Sequence, residues 1–173
     1  MDAVHSILDY AVGYQAAALP RAVAESTKAF VLDTISLMLA GRRAPGCDAT
    51  VGLLTQWGGK EEATVIGTNT RLPSPAAALA NSLHAHAYDF DDTHERGDMH
   101  GYAVVLPAAL ATAERIGNVS GRDLLVAVSI GADVAYRLGL AIKRYRGWHP
   151  TATCGIFGAA LAAGRIALQS VNQ

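Results

Sequence analysis

The sequence predicts an all-α fold, a helical bundle with at most a trace of β-strand. Apolar residues recur at helical spacing over most of the chain, and hydrophobic residues make up 51% of it. Helix caps and helix-breaking residues separate these periodic segments. With 173 residues, the chain is long enough for one domain with its own core and too short for two comfortable ones.

The predicted helices follow one another from the N-terminus. An amphipathic segment over 3–17 is closed by Pro20, and a second helix over 21–41 ends at Gly41. Further helices are predicted over 48–57, 75–92, 103–116, 121–143 and 155–168. The segment 62–67 is the only strand-like run.

Caps and loops support these boundaries. Ser74, followed by a first-turn proline, and Ser120 are typical N-terminal caps. The glycine-containing segments 93–101 and 145–153 are predicted to be loops. The last helix is expected to be mostly buried, because Arg165 is its only charged residue.

Charge and composition exclude several classes of protein. A net charge of -1 leaves no basic stripe for nucleic acid. The first residues lack a signal-peptide pattern, and no uninterrupted apolar run reaches membrane-spanning length. Cys47 and Cys154 lie far apart without metal-ligand spacing, which favours free thiols in a cytoplasmic protein.

Polar chemistry is concentrated in the segment 84–100, between flanks of alanine, leucine and valine. It contains His84, His86, Asp89, Asp91, Asp92, Thr93, His94, Glu95 and His100. An apolar helix that gains three aspartates must leave the core or form a polar pocket. On a helix, Asp89 and Thr93 share a face while Asp91 points elsewhere. The loop histidine His100 can fold back over this helix end, where a carboxylate would fix its tautomer for general acid–base catalysis.

A second polar segment spans 143–153 and precedes the last predicted helix. Free N–H groups at that helix start, the Thr151 hydroxyl and a nearby arginine such as Arg146 would attract a carboxylate. His149 precedes a proline and is expected to extend from the loop. Thr151 and Arg146, together with Asp92, are therefore the candidate substrate-binding residues.

Some of these residues also have purely structural interpretations. His84 and His86 are typical of one histidine bonded in the core and one solvated. Asp91 and Asp92 at a helix end would satisfy nearby N–H groups or pair with arginines. Asp133 and the arginine four residues later would form an intrahelical ion pair.

At this point the chain resembles a known family. The stretch 77–94 with its Asp-Phe-Asp-Asp-Thr block, then His100 and Val105-Leu-Pro, resembles the signature segment of the MmgE/PrpD family. This family includes 2-methylcitrate dehydratase, cis-aconitate decarboxylase and iminodisuccinate epimerase. The likeness covers essentially the whole chain, including the Gly147-Trp-His-Pro block.

The resemblance implies a catalytic set of Asp89, Thr93, His100 and His149. It implies a helical domain, a homodimer, no metal or organic cofactor, and a small polycarboxylate substrate such as 2-methylcitrate or cis-aconitate. The activity would be that of a lyase or isomerase which moves a proton beside a carboxylate. His100 would transfer the proton with Asp89 orienting it, and Thr93 and His149 would hold a carboxylate or assist the leaving group.

Two features depart from the family pattern. His100 is followed by Gly101-Tyr102 where many members have Pro-Ser, and the preceding loop is about one residue longer. Family members are more than twice as long, with a later α+β domain and active-site lysines. Residues 1–173 are therefore expected to form an incomplete helical domain, in which His100 and His149 face one cavity and His100 is solvent-accessible.

Two alternatives come from other classes of protein. A metal-dependent all-α enzyme would use a box of Asp91, Asp92 and Glu95 for Mg²⁺, or His84 and His86 with Asp89 for a transition metal. A non-catalytic helical module would only dimerise or bind a ligand. Activity with and without a chelator separates the three hypotheses.

Overall fold

The computed structural model describes residues 2–144 and 147–171, and within them the chain is all-α, which confirms the predicted fold class. Its helices are α1 Ala3–Gly13, α2 Arg21–Gly41, α3 Cys47–Trp57, α4 Ser74–His86, α5 Tyr102–Ile116, α6 Gly121–Ala141 and α7 Pro150–Val171. Single 3₁₀ turns lie at Ala16–Ala18 and Glu95–Gly97.

The predicted trace of strand is a two-stranded antiparallel hairpin. Its strands are β1, Ala63–Thr64, and β2, Arg71–Leu72. Glu114 on α5 ties down the hairpin, because one carboxylate oxygen accepts from the Thr64 N–H at 3.0 Å and from the Arg71 guanidinium at 3.1 Å. The hairpin therefore packs on the bundle and adds no layer of its own.

Helix α5 lies at the centre of the bundle, packed against α4, α6 and α7. The buried core around it is aliphatic and rich in alanine, and it includes Met38, Val105, Leu106, Ala109, Val128 and Ile166. Burial of this apolar surface is the main source of stability, at roughly 25 cal/mol per Å² removed from water. The arrangement places both ends of the α4–α5 connection next to the start of α7.

Helices α6 and α7 approach closely at a pair of glycines. A Cβ atom built on Gly131 would lie 2.6 Å from the carbonyl oxygen of Gly158, and one on Gly158 would clash with the Gly131 carbonyl oxygen. Real Cβ atoms do not reach such distances, so the two backbones can touch only because both residues lack side chains. This contact sets how near the start of α7 comes to α5.

Several predicted boundaries differ from the structure. Helix α1 is shorter than the predicted 3–17, and α6 ends at Ala141. Helix α7 begins at Pro150, earlier than predicted, because proline has the φ that the first turn of a helix requires and needs no hydrogen bond there. Thr151 therefore belongs to the first turn of a helix.

The expectation that the last helix is mostly buried is wrong. Ile156 and Phe157 are each more than half exposed, because α7 contacts the bundle along one face only. Arg165, its charged residue, is buried and donates hydrogen bonds to the carbonyls of Ala11 and Tyr14, which holds the end of α1. The homodimer stays a prediction, which light scattering checks against the 18.0 kDa mass of one chain.

Within the described residues, two helices are long and apolar enough to span a membrane when judged by length and composition: α6, and α7 up to residue 168. Core helices of globular proteins meet the same criterion. Half of the residues in the most apolar 18-residue stretch of α6 are buried within the fold, as expected of a core helix.

His84 departs from its structural interpretation. It is 1% exposed on α4, and neither of its ring nitrogens has a hydrogen-bond partner among the described residues. Burial lowers the pKa of this imidazole, which favours the neutral form. The expected pair of one bonded core histidine and one solvated histidine is therefore wrong, since the bonded histidine is the half-exposed His86.

Candidate active site

Helix α4 ends at His86, before the predicted end near Asp92. Asp89 has a φ of 58°, in the left-handed region that aspartate tolerates better than most residues. The chain turns out of the helix there, so Asp89 and Thr93 do not share a helical face as predicted. The same turn directs Asp91 inward.

Four side chains meet just beyond this helix end: His86, Asp89, Asp91 and His100. His86 Nδ1 lies 2.9 Å from Asp91 Oδ1 and 3.8 Å from Asp89 Oδ1. His100 Nδ1 lies 3.4 Å from Asp91 Oδ2, and its Nε2 lies 3.5 Å from Asp89 Oδ1. Each imidazole therefore faces both carboxylates.

The cluster has a buried floor and an exposed rim. The Asp91 side chain is fully buried, that of Asp89 is 76% exposed, and that of His100 is only 14% exposed. The expectation that His100 is solvent-accessible is wrong, because the 93–101 loop folds back and places the ring against His86 and Asp91. Access from solvent is therefore greatest on the Asp89 side.

His149 faces the same cluster from the second loop. Its ring centroid lies 6.3 Å from that of His100, with the ring planes 11° from parallel, and 6.5 Å from that of His86. His149 precedes the first residue of α7, and its carbonyl accepts from the backbone N–H of Ala152 and Thr153. The structure thus brings together the two histidines that the sequence predicts to share a cavity.

The other candidate residues have different surroundings. Thr151 is buried, and its hydroxyl oxygen accepts from the His100 backbone N–H at 2.8 Å, which links the loop to α7. Thr93 is exposed, and its hydroxyl donates to the Asp91 carbonyl at 3.4 Å. Arg146 lies outside the described residues.

The Asp92 carboxylate is directed away from the cluster, toward the start of α5. Its two oxygens accept from the backbone N–H groups of Gly101 and Tyr102 and from the Tyr136 hydroxyl at 2.5 Å. Burial raises the pKa of the Asp92 carboxyl, and these hydrogen bonds oppose the rise. Three donors already engage this carboxylate, so its position confirms the alternative that it satisfies neighbouring N–H groups.

Tyr136 also explains why glycine follows His100. A Cβ atom on Gly101 would lie 2.5 Å from the Tyr136 hydroxyl oxygen, so a larger residue would displace the ring. The His94 ring stacks on the Tyr136 ring, with their centroids 4.6 Å apart. The Asp92–Tyr136 pair therefore holds the backbone immediately after His100.

We expect Tyr136→Phe to lower the free energy of unfolding by about 1.5–3 kcal/mol, because it removes a partly buried hydrogen bond to a charged group. Tyr10→Phe is the matched control, since it removes an exposed hydrogen bond to Asp133 and should cost less than about 1 kcal/mol. Urea denaturation of both variants measures the difference. Equal losses would show that the Asp92–Tyr136 bond does not hold the loop.

An apolar cleft lies beside the cluster, between α4, α5 and the start of α7. Its volume is about 260 Å³, and it is lined by Leu79, Ser82, Leu83, His86, Ala87, Ala103, Val104 and Thr151. His86 and Thr151 thus join the polar cluster to a cleft that can receive the carbon skeleton of a small molecule.

Comparison with known proteins identifies the family. The MmgE/PrpD N-terminal domain profile matches residues 5–173. The chain belongs to the MmgE/PrpD family. It is 31% identical over 156 residues to a cis-aconitate decarboxylase of Aspergillus terreus, covering 86% of this chain and 32% of the relative. It is also 31% identical over 151 residues to the human cis-aconitate decarboxylase, covering 83% and 31%.

A cis-aconitate decarboxylase-like protein of Aspergillus oryzae is 32% identical over 158 residues, covering 86% of this chain and 33% of the relative. The chain thus spans about a third of the length of the curated relatives that it matches.

In this MmgE/PrpD chain, the predicted catalytic and substrate-binding residues omit two members of the cluster, His86 and Asp91, which only the metal-site alternatives include. The structural interpretation of His86 rests on its alanine-rich surroundings. The prediction that Asp91 points elsewhere rests on a helix that continues through Asp92, whereas α4 ends at His86. The dense spacing of histidine and aspartate over 84–100 was the signal that could have found them.

The acidic metal box does not form as predicted. Asp92 turns to α5, Glu95 lies exposed in a 3₁₀ turn, and His84 is buried in the α2–α4 contact. The group of potential ligands among the described residues contains Asp91 with His86, Asp89 and His100. The predicted ion pair on α6 is confirmed, with Arg137 Nε 2.7 Å from Asp133 Oδ2.

Proposed function

We propose that this chain carries the proton-transfer site of a cofactor-independent lyase acting on a small polycarboxylate of the cis-aconitate type. The observation that carries the proposal is His100, held between two carboxylates and facing His149 beside an apolar cleft. Membership of the MmgE/PrpD family and the names of the relatives support the class of substrate.

The two nitrogens of His100 have different environments. Nδ1 is directed to the buried Asp91, and Nε2 to the exposed Asp89. A substrate that arrives from solvent displaces water around Asp89 and reaches Nε2 first. Nε2 is therefore the atom that exchanges a proton with the substrate, while Asp91 and the backbone bond to Thr151 orient the ring.

In a decarboxylation, bond cleavage precedes the proton transfer. The carbon–carbon bond to the departing carboxylate breaks and releases CO₂, and its electron pair stays on the remaining carbon, delocalised over the adjacent double bond. The His100 imidazolium then delivers the Nε2 proton to the carbanion and recovers a proton from solvent. No oxidant, reductant or metal enters this sequence.

The other candidate residues bind the substrate or orient His100. The exposed His149 ring, which stacks on His100, and the exposed Thr93 hydroxyl would hold a substrate carboxylate. Arg146 belongs to the same proposal as a cation near the second loop. Thr151 and Asp92 act as positioning residues, because their oxygens already accept backbone hydrogen bonds. Further cations that bind the substrate would come from segments corresponding to the part of the relatives that this chain does not match.

The test is an assay on cis-aconitate and on 2-methylcitrate, followed by NMR in D₂O. One sample is the chain itself; the other is the Aspergillus terreus decarboxylase with its matched third replaced by this chain. We expect loss of CO₂ from cis-aconitate with one deuteron in the product. If the protein removes water from 2-methylcitrate and leaves cis-aconitate unchanged, 2-methylcitrate becomes the proposed substrate. The proton-transfer role of His100 is then kept. A folded chimera that consumes neither compound would refute the proposal.

A further inference from the structure

We infer that His86, Asp89, Asp91 and His100 form a binding site for one divalent transition-metal ion, with Zn²⁺ as the probe. One ligand atom from each of the four side chains lies within 4.8 Å of the others. Tetrahedral ligands at the usual Zn²⁺ distances of ~2.0–2.2 Å are separated by roughly 3.3–3.6 Å. With Nδ1 as the ligand atom of His100, its separation of 3.4 Å from Asp91 Oδ2 has this length. His86 Nδ1 lies 3.1 Å from Asp91 Oδ2 and 3.8 Å from Asp89 Oδ1, on either side of this range.

Contacts with the surrounding fold fix the positions of Asp91 and His100. Asp91 is completely buried, and its carboxylate is hydrogen bonded to His86 Nδ1. His100 is fixed by its backbone N–H to Thr151, and its Nδ1 is a buried nitrogen without a hydrogen-bond partner among the described residues. A buried polar atom without a partner is unfavourable, because it has lost its hydrogen bonds to water. A metal–nitrogen bond would remove that cost.

The donor set selects the type of metal. Two imidazoles with two carboxylates suit Zn²⁺, Fe²⁺ or Co²⁺, whereas Mg²⁺ prefers oxygen ligands and keeps several waters. The exposed Asp89 is the side from which an ion reaches the site and leaves it. The ligand atoms lie up to 4.8 Å apart, so they must draw closer around an ion, and the exposed Asp89 carboxylate is free to move inward.

Occupation of this site would stop proton transfer. A metal-bound His100 has a nitrogen lone pair committed to the ion, and Asp89 and Asp91 no longer orient it. Zn²⁺ thus acts as a reversible inhibitor, and this consequence rests on the proposed function. The binding of Zn²⁺ does not rest on the proposed function, so the two proposals can fail separately.

The experiment titrates Zn²⁺ into the untagged, chelator-treated chain by calorimetry and checks stoichiometry by elemental analysis after desalting. We expect one Zn²⁺ per chain, with Mg²⁺ at the same concentration giving no heat. His86→Gln and Asp89→Asn should each weaken binding by at least the ~10–100-fold that loss of an outer-shell partner costs. Asp89 is exposed, so its variant keeps the fold. His94→Gln is the control, because His94 lies in the same loop outside the cluster.

The outcomes separate this inference from the proposed function. Absence of saturable Zn²⁺ binding, or equal binding by the variants and the parent chain, would overturn the site and leave the lyase proposal intact. Zn²⁺ binding together with activity that disappears on chelation would support the site and overturn the cofactor-independent lyase. Binding with inhibition that chelation reverses supports both.

Discussion

His100→Gln is expected to lower the rate of decarboxylation by ~10²–10⁴-fold, the typical contribution of one general acid–base residue. Glutamine keeps a similar size, and the backbone N–H of residue 100 can still donate to Thr151, so the folded loop should persist. The loss should appear in kcat, because the imidazole acts on the reacting carbon and contributes little to holding the substrate. Steady-state assays of the chimeric decarboxylase measure it.

His94→Gln provides the control for this variant. It changes a histidine of the same loop that stacks on Tyr136 and lies outside the cluster. Its kcat should stay within a few-fold of the parent. Full activity of His100→Gln would show that another group transfers the proton. His149 would then be the next residue to substitute.

Gly158→Ala should lower the free energy of unfolding by about 1–3 kcal/mol, because the new methyl group meets the carbonyl oxygen of Gly131 and forces α6 and α7 apart. The separation would also move the start of α7, with His149 and Thr151, away from His100. We therefore expect activity to fall together with stability.

Gly164→Ala is the matched control on the same helix. Among the described residues, no atom beyond the adjacent backbone of α7 lies within 4 Å of a Cβ built on Gly164, so alanine should stabilise α7 by up to ~1 kcal/mol through its higher helix propensity. Chemical denaturation compares the two variants. Similar stabilities would show that the close approach of α6 and α7 is unimportant.

Local patterns in the sequence predict the helices well and their ends poorly. Periodicity placed every helix of the described chain, and Ser120 caps α6 as expected, accepting from the Asp123 N–H. The end of α4 was missed because Asp89 adopts a left-handed conformation that no periodicity records. The start of α7 was missed because proline and threonine were interpreted as loop residues.

For the candidate site, too, the sequence identifies the region but not the direction of each side chain. The clustering of histidines and aspartates over 84–100 identified the region, and the family resemblance selected Asp89, Thr93, His100 and His149. Neither could tell Asp91 from Asp92, which are adjacent in sequence and face opposite partners. Their directions depend on how the chain leaves α4, and hydrogen bonds to distant residues decide that.

By itself, the sequence determined the helical class, the approximate helices and the two polar segments, because each depends on residue type and on spacing of a few residues. Only the tertiary structure decided that His86 and Asp91 complete the cluster, that Asp92 holds the start of α5, and that His100 is largely buried. These features depend on the glycine contact between α6 and α7 and on the fold-back of the 93–101 loop. Such contacts join residues far apart in the chain, and local spacing carries no information about them.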